Sequence, residues 1–142
     1  MNDRYLYRAK RKNNGEWVEG DLVHSVYKIN DTCVGKYGSN DGMHQVDEST
    51  VCQCTGLKDK NGKSIWENDI IKEFNSQGDE WNLSKVVFAD YSLNIGWCIE
   101  GIKTLHQYNR RLFNVGLDLD RAKKSEVIGN IFDNPELLEV GE

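Results

Sequence analysis

The sequence predicts a mainly β domain, and three features predict it. Thirteen glycines, scattered singly or beside Asn and Asp, punctuate short apolar runs at intervals suited to strands and turns. Two Asn-Gly steps, Asn14-Gly15 and Asn61-Gly62, offer the positive φ angles that tight hairpins demand. A single proline, Pro135, and no repeat or low-complexity tract leave nothing to mark a linker, so one domain over 1–142 is the expectation.

Residues 4–9 alternate polar and apolar, and Asn13-Asn14-Gly15 turns them into 16–20, an opening hairpin. A second pair is expected from 21–29 through Asn30-Asp31 to 32–34, with a loop over 35–42. Residues 51–57 and 58–66 reverse at Asn61-Gly62, where Gly accepts a left-handed backbone at no steric cost. The β-branched run Ile70-Ile71 opens a strand over 70–74, bounded by Asn75-Ser76-Gln77-Gly78; further strands are expected at 85–88, 95–99 and 126–132. Ile102, Leu105, Tyr108, Leu112 and Val115 recur every three or four residues and predict a helix, against which Asn109 and Asn114 count as weak helix formers. At the end, Asn134 suits an N-cap, Pro135 the first helical position and Glu136 the positive helix terminus, so a short helical turn is expected.

A chain of 142 residues can bury a core without metal or disulfide, and its 4 Trp, 6 Tyr and 4 Phe supply large side chains for one. Apolar residues never run for the roughly 18 positions of a membrane span, and Met1 to Lys12 contains no apolar signal region. A cytoplasmic protein is expected. Its four cysteines then read as reduced thiols. Cys52 and Cys54, two apart on a strand, lie about 6.6 Å apart with parallel Cβ directions, unsuited to a bridge.

The formal charge of −5 and a pI near 5.2 disfavour a sequence-independent hold on phosphate backbones. Arg8 to Lys12 and Arg121 to Lys124 are the basic clusters that could supply one; as short runs they read first as solvated turns. A zinc site would draw on His24, Cys33, His44, Cys52, Cys54, Cys98 and His106, but their spacing offers at most the Cys52/Cys54 pair. No nucleophile elbow, phosphate-cradling glycine loop or His-Glu zinc motif is present. Asp59 and Asp69 could be paired carboxylates, yet each sits where an aspartate accepts backbone N–H bonds in a turn. The expectation is therefore no catalytic residue, no cofactor and no metal. Of Trp17, Trp66, Trp81 and Trp97, Trp81 is flanked by Asp79, Glu80 and Asn82, which marks it as the exposed one and a possible partner contact.

Three blocks, NGEWVEGDLVH, TGLKDKNGKSIWENDIIKE and EVIGNIFDNPELL, resemble the YopX proteins of phages and prophages. The resemblance implies a barrel-like, SH3-resembling β fold and an origin in a phage or an integrated prophage of a bacterium, and it implies no activity. Its structural signature falls on Trp17, Gly56, Asp59, Asn61, Gly62, Asp69, Gly129 and Asn130. Where the family usually has glycine before Asp69, this chain has Asn68, the next-best residue for a left-handed backbone. The leading expectation is a non-enzymatic binding or assembly module acting on a protein partner or on itself as a homo-oligomer. A nucleic-acid-binding accessory and a hydrolase of unknown substrate are the alternatives.

Overall fold

A computed structural model describes residues 5–24, 32–36, 42–91 and 94–139. The chain is mainly β and forms two compact units, Met1–Gly56 and Leu57–Glu142.

The first unit holds β1 (Tyr7–Lys10), β2 (Trp17–His24), β3 (Thr32–Gly35), β4 (Met43–Gln45) and the start of β5 (Cys52–Lys58), hydrogen-bonded antiparallel in the order β4-β3-β2-β1-β5. The opening hairpin forms as expected, with Ala9 opposite Val18, and its turn is closed by Arg11 N donating to Glu16 O at 2.8 Å. β2 differs from the expectation in being one strand across Gly20 rather than two. Its first half pairs with β1 and its second with β3, so a single strand serves two neighbours. The expected turn at Asn30-Asp31 and most of the 35–42 loop lie outside the described residues. Ala9, Val34 and Val46 are fully buried, with Val18, Leu22 and Val51 packed around them. A 3-10 turn, Glu48–Thr50, precedes β5 and is capped by Asp47, whose carboxylate accepts from Ser49 N at 3.1 Å.

The second unit begins with the end of β5, which turns back into β6 (Ser64–Trp66) through a hairpin closed by Asp59 N donating to Lys63 O. Then come β7 (Asp69–Phe74), β8 (Glu80–Tyr91), β9 (Asn94–Thr104), β10 (Val115–Gly116), helix α1 (Leu119–Lys123), β11 (Ser125–Asn130) and a 3-10 turn, Pro135–Leu138. The sheet is antiparallel throughout, ordered β10-β9-β8-β7-β11. Ile71, Val86, Ile99 and Val127 bring one apolar residue from each of four neighbouring strands into a core completed by Ile65, Leu117 and Ala122. Both strand orders run between two ends, so neither sheet closes on itself among the described residues.

The helix expected over 102–115 is replaced by strand and loop. β9 runs to Thr104 because β8 pairs with it along its length, from Tyr91↔Asn94 to Asn82↔Thr104 with a bulge at Leu83/Ser84; a full ladder satisfies backbone groups that a helix would have to recover locally. The α-helix lies instead at Leu119–Lys123, started by Asp118, whose carboxylate accepts from Arg121 N at 2.8 Å. Five residues are too few for a periodic apolar face to show. At the end of the chain the helical turn is 3-10, with Pro135 in its first turn; Asn134 does not cap it, because its Oδ1 accepts from Asn130 N at 3.2 Å.

Candidate protein-binding site

Between β9 and β10, residues 105–114 form an irregular loop pinned to the sheet by asparagine side chains and backbone bonds. Leu105 N donates to Trp81 O at 2.9 Å, and the buried Asn109 donates its Nδ2 to the same carbonyl at 2.7 Å. Asn114 Oδ1 accepts from Gly101 N at 3.3 Å. The Leu112 side chain rests where a Cβ on Gly101 would stand, with its own Cβ 2.7 Å from that point. The two asparagines that weaken a helix are thus the ones that hold this loop.

The pinned loop displays its larger side chains. Tyr108 is 73% exposed and Phe113 60%, with exposed Arg110 and Arg111 between them. The inner end of the cluster is aromatic: His106 lies 5.2 Å from the Trp81 ring and 5.5 Å from that of Tyr108, and its Nε2 is 3.5 Å from Asp79 Oδ2. Trp81 itself is half-buried, contrary to the exposure its polar neighbours suggested; it stands in β8, against the His106 ring. Tyrosine and arginine are among the residues that dominate binding energy at protein interfaces, and rigidly held loops are where such residues are commonly displayed. A second apolar surface lies on the β8–β9 hairpin. The core row Val86↔Ile99 continues into Phe88↔Trp97, whose rings meet edge to face at 5.2 Å, and then to Ile95, 78% exposed.

The signature residues have structural partners. Asp59 is buried, its Oδ1 accepting from Asn61 N and Lys63 N, both at 2.9 Å, and its Oδ2 from Val127 N at 2.9 Å. Gly62 occupies the turn with φ +79°, and Gly56 lies in β5 with φ +80°. Asp69 Oδ2 accepts from Trp66 N at 2.8 Å across the turn where Asn68 takes φ +70°. Asp59 and Asp69 are thus each committed to backbone amides. Gly129 gives way to Asn134, since a Cβ there would stand 2.4 Å from Asn134 Oδ1. Asn130 Oδ1 accepts from Phe132 N and Asp133 N at 3.0 and 2.9 Å, building the turn after β11. Trp17, opposite Lys10, lies under the Arg8 guanidinium at 4.7 Å and the Lys10 ammonium at 5.4 Å.

None of Cys33, Cys52, Cys54 and Cys98 forms a disulfide, and Cys52 and Cys54 are buried on one face of β5. His24 Nδ1 lies 3.1 Å from Thr32 Oγ1 across the β2–β3 pair. Among the described residues no group of three or more His, Cys, Asp or Glu comes together as a metal ion requires. Within the basic run at 121–124, Arg121 Nη1 is 2.7 Å from the buried Glu73 Oε2, and Lys124 is 3.2 Å from Asp120. Among the described residues no helix is long and apolar enough to cross a membrane.

No curated protein matches the chain at a significant level. Among solved structures, protein EF1440 from Enterococcus faecalis is 23% identical, with 94% of this chain and 96% of that one covered and a TM-score of 0.47. The sequence profile of the YopX protein matches residues 6–139. With nearly the whole length matched, and with the aspartates and glycines of the recognised blocks shaping its turns, the chain belongs to the YopX family.

Proposed function

We propose that this chain is a non-enzymatic binding or assembly module of a phage or prophage, working in the bacterial cytoplasm, and that its 105–114 loop engages an acidic protein surface. The observation that carries the reading is the exposure of Tyr108, Arg110, Arg111 and Phe113 on a loop tied down by Asn109 and Asn114. Holding the backbone in advance lowers the ordering cost of binding. Two adjacent arginines on a chain of net charge −5 make a second copy the first partner to test, since the net negative charge of one copy complements the loop of another. The barrel-like, SH3-resembling character that the family likeness implies belongs to the same proposal.

Sedimentation and light scattering over a rising concentration series test it. Self-association is expected, weakened about tenfold by Tyr108→Ala, as for an interface anchor. Arg110→Glu with Arg111→Glu should abolish it, and Trp81→Ala, which removes the ring behind His106, should weaken it. A chain that stays monomeric throughout overturns the homo-oligomer; association untouched by all three changes overturns the loop as its site. Single-stranded nucleic acid is the second reading, favoured by exposed aromatics beside arginines. Fluorescence anisotropy showing binding that collapses with salt would select it over the protein partner.

A further inference from the structure

We propose that a lysine-lined groove beside Phe74 in the second unit binds the phosphate of a small sugar phosphate. The groove encloses about 620 Å³, within the range of small-ligand sites, and is lined by Lys60, Phe74, Ser76, Lys123 and Lys124 among others. Three stretches of sequence make it: the hairpin after β5 brings Lys60, the end of β7 and the following turn bring Phe74 and Ser76, and the end of α1 brings Lys123 and Lys124.

The local bonding fixes these groups. Lys60 N donates to Ser125 O at 2.9 Å, and its ammonium sits 4.1 Å from the Phe74 ring centroid, turned into the groove. The turn wall is held by Asn75 Oδ1, which accepts from Gln77 N and Asp79 N at 3.0 and 2.8 Å. Lys60 is 3.5 Å from Glu126 and Lys124 is 3.2 Å from Asp120, whereas Lys123 makes no ion pair among the described residues, so its charge is the one a phosphate meets first. Both pairs are exposed; contacts of that kind contribute little and yield to a doubly charged anion. Lysine ammoniums are the donors a phosphate accepts from, and the exposed Ser76 hydroxyl, which donates to Gln77 Oε1 at 3.2 Å, exchanges that bond for one to the phosphate.

A second recess of about 240 Å³ shares Phe74 and Lys124 with the groove and carries Glu73, Asp118, Asp120 and Arg121, so that its carboxylates outnumber its cations by one. Carboxylates there would repel a second phosphate and accept hydrogen bonds from hydroxyls. The paired recesses therefore suit a ligand with phosphate at one end and hydroxyls at the other.

The test titrates the full chain with inorganic phosphate, ribose 5-phosphate and ribose by calorimetry, with amide NMR to locate the site. Ribose 5-phosphate is expected to bind more tightly than phosphate, ribose not at all, and affinity should fall with salt. Lys123→Glu with Lys124→Glu, both exposed, should weaken binding at least about tenfold while leaving the thermal unfolding curve unchanged. Asp120→Asn should remove the advantage of ribose 5-phosphate over phosphate and preserve phosphate binding, an outcome that loss of folding could not mimic. Absence of binding by either phosphate probe, or binding indifferent to the lysine reversals, overturns the site. A single-stranded oligonucleotide that binds this groove where ribose 5-phosphate does not overturns the small-ligand assignment and places the phosphate in a nucleic-acid backbone.

Discussion

Replacing Asp59 with alanine removes one carboxylate that accepts three backbone N–H bonds, two inside its own hairpin and one from Val127, 68 residues away. The three are not equal. Asn61 and Lys63 lie at an exposed turn where water can replace the lost acceptor, so each contributes about 1 kcal/mol. Val127 N is buried in β11, and leaving it unsatisfied beside a new void costs about 2 to 3 kcal/mol. Asp59→Ala should thus destabilise the fold by about 4 to 5 kcal/mol, a large share of a typical total of about 5 to 15. Asp59→Asn keeps one acceptor oxygen but turns an NH₂ towards one of the donors, and should cost about half as much. Urea unfolding checks the first figure: at an m-value of about 2 kcal/mol/M the midpoint should fall by about 2 M without a change in slope. Hydrogen exchange checks the mechanism, because the Val127 amide should lose more protection than its strand neighbours. A loss under about 1 kcal/mol, or Val127 protection that survives in Asp59→Ala, would refute the reasoning.

Other outcomes rest on the same geometry. Gly129→Ala drives a Cβ into Asn134, breaks the Asn130 N to Asn134 Oδ1 bond and should cost about 1 to 3 kcal/mol in denaturant unfolding. Asn68 holds φ +70°, so Asn68→Gly should stay within about 0.5 kcal/mol of wild type while Asn68→Val loses about 1 to 2 kcal/mol, measured the same way. The Asp47 carboxyl is held below its ordinary pKa, first by the Ser49 hydroxyl, then by the Ser49 amide and the charge of Lys12, with burial opposing. A carboxyl whose folded pKa is depressed contributes stability that is fully present above its ordinary value and is lost as pH falls through the depressed one. Carbonyl NMR titration should place its midpoint below that of an unperturbed aspartate, and Ser49→Ala should move it back up.

Much of the fold was legible because its signals are local. Asn13-Asn14-Gly15 and Asn61-Gly62 reverse the chain with Gly15 and Gly62 at φ +73° and +79°, helped by the nearby Asn14 and Asp59 side chains, all within a few residues of the turn. The β-branched pair Ile70-Ile71 and the step Asn134-Pro135 likewise announce a strand and a helical turn from adjacent residues. The errors fall where two segments had to meet. The 3.6-residue spacing from Ile102 to Val115 is a real pattern, but the ladder with β8 claims residues up to Thr104, and Asn109 and Asn114 tie down the loop beyond it. The five-residue helix α1 is capped by Asp118, too brief a signal to stand out in the sequence.

The candidate site divides in the same way. The charged neighbours of Trp81 predict exposure, yet its side chain is half-buried against His106, and the exposed groups belong to a loop more than 20 residues further on. Nothing local to Tyr108, Arg110 or Phe113 says that they will share a surface; that requires β8 and β9 to bring Trp81 O under Asn109.

By itself the sequence determined the strand-rich class, the family and the placement of the turns at Asn14-Gly15 and Asn61-Gly62, since these depend on residue types and on steric limits that act over a few bonds. Tertiary structure decided which strands pair, that Asp59 would reach Val127, that Gly129 would be overlain by Asn134, and which aromatic and cationic side chains face solvent together. Such contacts join residues far apart in the chain, and their free energy exists only once the surrounding sheet has formed.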